Sequence, residues 1–166
     1  MPEKVEESRH AERYYETLEF AQLAEMPVAS LAAADCSLFL WATGPMLAHA
    51  LTLFPCWGFA YKTIAFTWVK TPNQLDLFQQ NGRMGMGYWT RSSSEICLLG
   101  TRGRPKRLNA DVRQEILEPR REHSRKPSCV HERIERLVAG PYLELFARDS
   151  SRPGWAYWGN ETDKFK

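Results

Sequence analysis

The chemistry this chain can do is concentrated in a few short stretches of its 166 residues. Arg102, Arg104, Lys106 and Arg107 crowd one loop, broken by Gly103 and Pro105, and Arg120, Arg121, His123, Arg125 and Lys126 form a second basic run, PRREHSRKP. Cations on such a loop can lie along a phosphate backbone and release its counterions; a merely solvated basic hairpin is the plainer alternative. Tyr88, Trp89 and Arg91 stand together in GYWTR, where aromatic faces beside a cation suit stacking on bases and an ordinary packed aromatic pair is the competing reading. Glu144 lies inside the apolar run YLELFA, Arg148 closes it, and Asn160 and Glu161 end the segment GWAYWGNE. A carboxylate in an apolar strand must find a partner or face a cleft, because burying it alone costs several kcal/mol or shifts its pKa. Cys36, Cys56, Cys97 and Cys129 form no CxxC pair, so the spacing predicts reduced thiols and neither a metal site nor a disulfide framework.

These groups need elements to hold them. Pro127 suits the first turn of a helix and Gly140 the position just past its end. Between them Val130, Ile134, Leu137 and Val138 recur at helical spacing, which predicts an amphipathic helix over 128–139 with one face on a sheet. Tyr142 to Ala147 then reads as a short buried strand. Clefts at the carboxyl ends of strands are where open α/β sheets hold ligands, and basic loop, helix, strand and aromatic-polar close are laid out in the order of a nucleotide-cofactor site.

Upstream, the first 13 residues are charged and lack an apolar period, which predicts a flexible start before a single domain over 14–166. Tyr14 to Met26 reads as a helix capped by Thr17 and stopped by Pro27. Cys36 to Trp41 is a continuous apolar run, expected as a central strand buried on both faces. A helix over 46–54 and a strand over Tyr61 to Val69 complete a crossover unit implying a parallel pair. Asn73 to Gly87 reads as a loop and Glu95 to Gly100 as another strand, with Glu95 either lining a pocket or simply exposed at its start. With 43% hydrophobic residues the chain can build a core, and its formal charge of +2 permits a nucleic-acid partner without demanding one. No run approaches a membrane span and the first twenty residues are too charged for a signal peptide, so a cytoplasmic location is expected.

The runs PRREHSRKP, ERLVAGPYLELFAR and RPGWAYWGNE, with CSLFLWATGP, WGFAYKTIAFTWVK and GMGYWTRSSSEICLLGTRGRP upstream, together resemble the S-adenosylmethionine-dependent adenine-N6 methyltransferases related to the eukaryotic writers of N6-methyladenosine. The resemblance implies an α/β fold: a Rossmann-like sheet with helices on both faces and a circularly permuted motif order that puts the cofactor motif at the C-terminus. It implies S-adenosylmethionine as cofactor, with Lys126 at the methionine carboxylate, Arg148, Asn160 and Glu161 around the ribose, and Glu144 and Phe146 lining the slot. It implies methyl transfer to the 6-amino group of adenine in nucleic acid, DNA rather than RNA. Tyr15, Tyr88, Trp89, Glu95, Arg102, Arg104, Arg107, Arg121 and His123 are then the candidate substrate-side residues, and a homodimer or a methyltransferase-like partner subunit is the expected assembly.

Members of that family carry an Asp-Pro-Pro-Trp tetrapeptide, which these 166 residues do not contain. The expected domain is therefore N-terminally incomplete, its catalytic residues lie outside the sequence, and the chain as it stands is expected to be inactive. The missing strand would fall between Cys36 to Trp41 and Tyr142 to Ala147. The alternative is a non-catalytic relative that binds nucleic acid or supports an active partner.

Overall fold

The computed structural model of the chain describes residues 18–72, 89–90, 92–122 and 125–165. In order, it forms helices α1 (Phe20–Glu25) and α2 (Val28–Leu31), strand β1 (Cys36–Ala42), a 3-10 turn (Gly44–Met46), helix α3 (Leu47–Cys56), strands β2 (Ala60–Thr71), β3 (Ser94–Arg102) and β4 (Glu115–Pro119), helix α4 (Cys129–Leu137) and strands β5 (Tyr142–Leu145) and β6 (Trp155–Trp158). This is a mixed α/β fold consistent with a Rossmann-like methyltransferase sheet. No helix among the described residues is long and apolar enough to cross a membrane.

The alternation of side chains along the strands divides the core into two. Leu38 and Leu40 of β1, with Ile96 and Leu98 of β3, meet α1, α2 and α3 around the fully buried Phe54. Phe39 and Trp41 point the other way and join Phe66, Trp68, Cys97 and Ile116 against Val130 and Ile134 of α4. Helices thus cover both faces, and Val130 and Ile134 bury the stripe their spacing implies. Two indoles tie elements across the sequence: Trp57 Nε1 donates to the Leu23 carbonyl at 2.9 Å, and Trp68 Nε1 to the Glu118 carbonyl at 2.9 Å.

The strand order corrects two expectations. The main sheet runs β1-β3-β2-β4. β3 pairs antiparallel with both β1 and β2, so the strands flanking α3 run the same way but are not hydrogen-bonded to each other. The strand with Cys97 and Leu98 buried on opposite faces takes the middle, because its apolar side chains are covered on both sides. β1, expected at the centre, pairs only with β3 among the described residues and is half-buried along most of its length. The basic loop after β3 is not a merely solvated hairpin: Arg102 is the last residue of that strand and donates to the Ala29 carbonyl at 2.6 Å, while the Arg104 amide donates to Asp35 at 2.7 Å. Gly103 between them has φ +62, and a Cβ there would come within 2.2 Å of Asp35 and 2.3 Å of the Ala34 carbonyl.

β5 and β6 form a separate parallel pair. β6 replaces the tight close expected after Gly154, and the strand expected over 142–147 ends at Leu145, because Phe146 turns into a positive φ of 58. The helix expected over 14–26 is described only as Phe20–Glu25. Thr17, the charged start over 1–13 and the loop expected over 73–87 lie outside the described residues.

Candidate active site

A cavity of about 1210 Å³ opens between the main sheet and the β5–β6 pair. Every residue of β1 from Cys36 to Trp41 and every residue from Tyr142 to Phe146 lines it. Consecutive strand residues point to opposite faces, so a space that touches all of them lies along the strand edges. The cavity thus sits against two rows of backbone groups for which the described residues provide no ladder partner. Ligand pockets usually occupy about 300–1,000 Å³, so this space exceeds what one small molecule fills.

Four of the residues expected on the cofactor side line it together: Lys126, Glu144, Phe146 and Arg148. Lys126 arrives from the loop before α4, where the buried Pro127 fixes its approach to the α4 face of the sheet. Its ammonium lies 2.5 Å from Glu95 Oε2 and 5.4 Å from the centre of the Trp41 ring. The second oxygen of Glu95 meets Lys70 at 2.5 Å, and Lys70 in turn lies 5.0 Å from the Trp68 ring. Burial pushes the Glu95 carboxyl up, but the two ammonium groups outweigh it and hold the group below its usual range. A residue expected on the substrate side and one expected on the cofactor side are therefore direct partners, 31 positions apart.

At the far end of β5 the chain folds back on itself. Arg148 Nε lies 2.8 Å from Glu161 Oε2, and Lys164 pairs with the same carboxylate. The hydrogen bond from Lys164 leads in holding Glu161 below the usual carboxylate range, with Arg148 adding to it. Phe165 receives two guanidinium groups on its ring, Arg125 at 4.7 Å and Arg148 at 4.9 Å. Asn160 is exposed, next to Gly159, whose missing Cβ lets the turn approach the Ala147 backbone: a Cβ would fall 2.9 Å from its nitrogen. Neither Asn160 nor Glu161 lines the cavity itself. Phe146 is 46% exposed and meets Trp158 edge-on, ring centres 5.4 Å apart.

Of the residues expected on the substrate side, Arg104 and Arg121 line the cavity, as do Lys106 and Arg125. Arg102 and Arg107 do not: the first is spent on Ala29 and the second is exposed and bridges to Val138. Trp89 is 96% exposed. Tyr15, Tyr88 and His123 lie outside the described residues.

Sequence reasoning missed the side chains that hold this wall together. Glu135 accepts both Arg152 Nε and Nη2 at 2.6 Å and Trp155 Nε1 at 2.7 Å. The Arg152 hydrogen bond leads in pulling the Glu135 carboxyl down to about 2. Trp155 stacks on Tyr142, centroids 4.8 Å apart, and takes the edge of His131 at 4.6 Å. His131 Nε2 reaches Glu144 Oε2 at 2.8 Å. The only early sign was Glu135 and His131 spaced i, i+4 along α4, at the border of its apolar stripe.

The donor set can hold an amino-acid-bearing nucleoside: cations for a carboxylate, a carboxylate for hydroxyls and aromatic walls for a base all face one space. Lys126 has three N–H donors, so its bond to Glu95 leaves others for an anion. A model of the MT-A70 family matches residues 2–161 of the chain. The type II methyltransferase M.MunI of a Mycoplasma species is 37% identical over 150 residues, covering 89% of this chain and 59% of that protein. An N(6)-adenosine-methyltransferase MT-A70-like protein of Arabidopsis thaliana is 35% identical over 92% of the chain, and the N(6)-adenosine-methyltransferase catalytic subunit METTL3 of Homo sapiens 32% identical over 93%. The chain spans 22% and 26% of those two proteins.

Proposed function

Because the chain belongs to the MT-A70 family, we propose that it forms the cofactor- and nucleic-acid-binding part of an S-adenosylmethionine-dependent adenine-N6 methyltransferase that acts on DNA. The observation that carries this reading is the convergence of Lys126, Glu144, Phe146 and Arg148 on one cavity that also takes in Arg104 and Arg121. S-adenosylmethionine supplies an electrophilic methyl group on a sulfonium. Lys126 would hold its carboxylate, Glu144 its ribose hydroxyls, and Phe146 the wall of its base, while Arg148 braces the Asn160–Glu161 turn through its ion pair with Glu161. Arg104 and Arg121 would neutralise phosphates at the same opening and bring the nucleic acid to it. The order of these residues, with the cofactor side C-terminal to the substrate side, is that of a permuted methyltransferase.

An amino group accepts a methyl only when its lone pair is freed and held in line, which in this family falls to the Asp-Pro-Pro-Trp tetrapeptide. The 166 residues lack it, and we propose that alone they transfer no methyl. The edges of β1 and β5 that lack a ladder partner among the described residues support that reading, since an added strand could pair with both. Tritiated methyl incorporation into DNA should be absent for Met1–Lys166 and present for a version fused to a strand carrying the tetrapeptide. Calorimetry tests the cofactor half: Lys126→Ala and Glu144→Ala should both weaken S-adenosylmethionine binding, and wild-type affinity in both would sink the assignment.

A further inference from the structure

Glu144 has the chemistry to accept hydroxyl hydrogens in the cavity, but a glutamate on a strand has several rotatable bonds, and a carboxylate left loose there would lose its orientation to entropy. Among the described residues one side-chain hydrogen bond restrains it, from His131 Nε2 at 2.8 Å to Glu144 Oε2. That bond leaves Oε1 uncommitted. The imidazole is itself fixed from behind. Its edge meets the Trp155 ring at 4.6 Å and 89°, Trp155 is stacked on Tyr142, and its indole N–H is held by Glu135, which Arg152 grips through two bonds. A relay of contacts from Arg152 to His131 thus ends on the one carboxylate that β5 presents to the cavity.

We propose that His131 is a positioning residue for cofactor binding: it donates a hydrogen bond to Glu144 and holds that carboxylate with one oxygen turned over to the ligand. This rests on the reading of Glu144 as a cofactor contact. The role is particular to a donor at position 131, since packing on Trp155 needs only a ring, whereas aiming Glu144 needs an N–H.

Those two requirements separate in a pair of variants. His131→Phe keeps an aromatic ring against Trp155 and removes the donor; His131→Gln keeps a donor and removes the ring. Calorimetric titration of the full chain with S-adenosylhomocysteine should show His131→Phe weakened about tenfold, the factor of one charge-assisted hydrogen bond. His131→Gln should stay within about threefold of wild type, and Glu144→Gln combined with His131→Phe should be no weaker than Glu144→Gln alone. A purely structural role would reverse the order of Phe and Gln. Weak binding by Glu144→Gln with wild-type binding by His131→Phe overturns the inference and leaves the cofactor reading standing. Wild-type binding by Glu144→Gln overturns the cofactor reading of that residue. The imidazole 15N resonances of His131 report the hydrogen bond without any ligand; if they do not move in Glu144→Gln, the inference fails whatever the titrations give.

Discussion

Replacing Glu95 by alanine removes the carboxylate that joins Lys70 of β2 to Lys126 before α4, and leaves two ammonium groups on one face of the sheet. The side chains are 17% exposed for Glu95, 15% for Lys70 and 31% for Lys126, with both contacts at 2.5 Å. Exposed pairs contribute about 0–1 kcal/mol, and breaking a fully buried pair costs about 3–5 kcal/mol. Lys126 can relieve its loss by moving into the cavity, and Lys70 keeps the Trp68 face at 5.0 Å. The expected cost therefore lies between the limits, at about 2–3 kcal/mol, or a fall in Tm of roughly 4–12 °C for a domain of this size. Because the folded-state carboxyl is held below its usual range, the wild-type advantage is fully present above the ordinary glutamate pKa of about 4.3. It is lost as pH falls through the depressed value. Urea unfolding of wild type, Glu95→Ala and Glu95→Gln at pH 7 and at pH 4 measures both quantities. A loss under about 0.5 kcal/mol at pH 7, or a loss that does not shrink on acidification, would refute the reasoning and make the triad an ordinary surface contact.

Further outcomes follow from other contacts. Glu135, with a carboxyl near 2 against an ordinary value of about 4.3, stabilises the fold above the higher value and loses that contribution as pH drops toward 2; Glu135→Gln should be less stable than wild type at pH 7 by thermal unfolding, with the gap closing in acid. Arg104→Ala with Arg121→Ala should weaken DNA binding for all sequences and flatten the slope of log K against log salt by roughly 1.8, about 0.9 per phosphate contact. Gly103→Ala should lose about 1–3 kcal/mol by urea unfolding, because it combines a positive φ with a collision against Asp35 and Ala34.

What the sequence disclosed, it disclosed locally. The Val130–Ile134 spacing announces α4 because periodicity acts within a few residues, and the apolar runs at Cys36 and Glu95 announce β1 and β3 for the same reason. The expected ends were less exact: α4 starts after an N-cap at Ser128 and stops at Leu137, where Val138 turns extended, so neither Pro127 nor Gly140 caps it. Strand order escaped because β3 takes its place between β1 and β2 through pairing with residues far away in the chain. β4 escaped because only Ile116 of EILEP is buried, too little for an alternating pattern, and β6 because Gly154 and Gly159 on either side read as turn. Family likeness pointed to Lys126, Glu144, Phe146 and Arg148, which the cavity brings together. It gave no sign of the Glu95–Lys126 bond or of the support from Arg152 to His131, which depend on how α4, β5 and β6 meet.

The edge of β1 that lacks a partner among the described residues has a consequence for handling the protein in solution. Its residues, CSLFLWA, carry no charge and no proline, and among the described residues their outer backbone groups have no ladder partner. Natural edge strands are protected by lysines, prolines, bulges or short length; this one is seven residues long and regular in register with β3, the composition from which stacked cross-β sheets grow. The edge that can accept a strand of its own fold can accept the same edge from a neighbour, so the isolated chain should self-associate more readily as concentration rises, and any strand that occupies the slot should act as a solubilising element as well as a structural one.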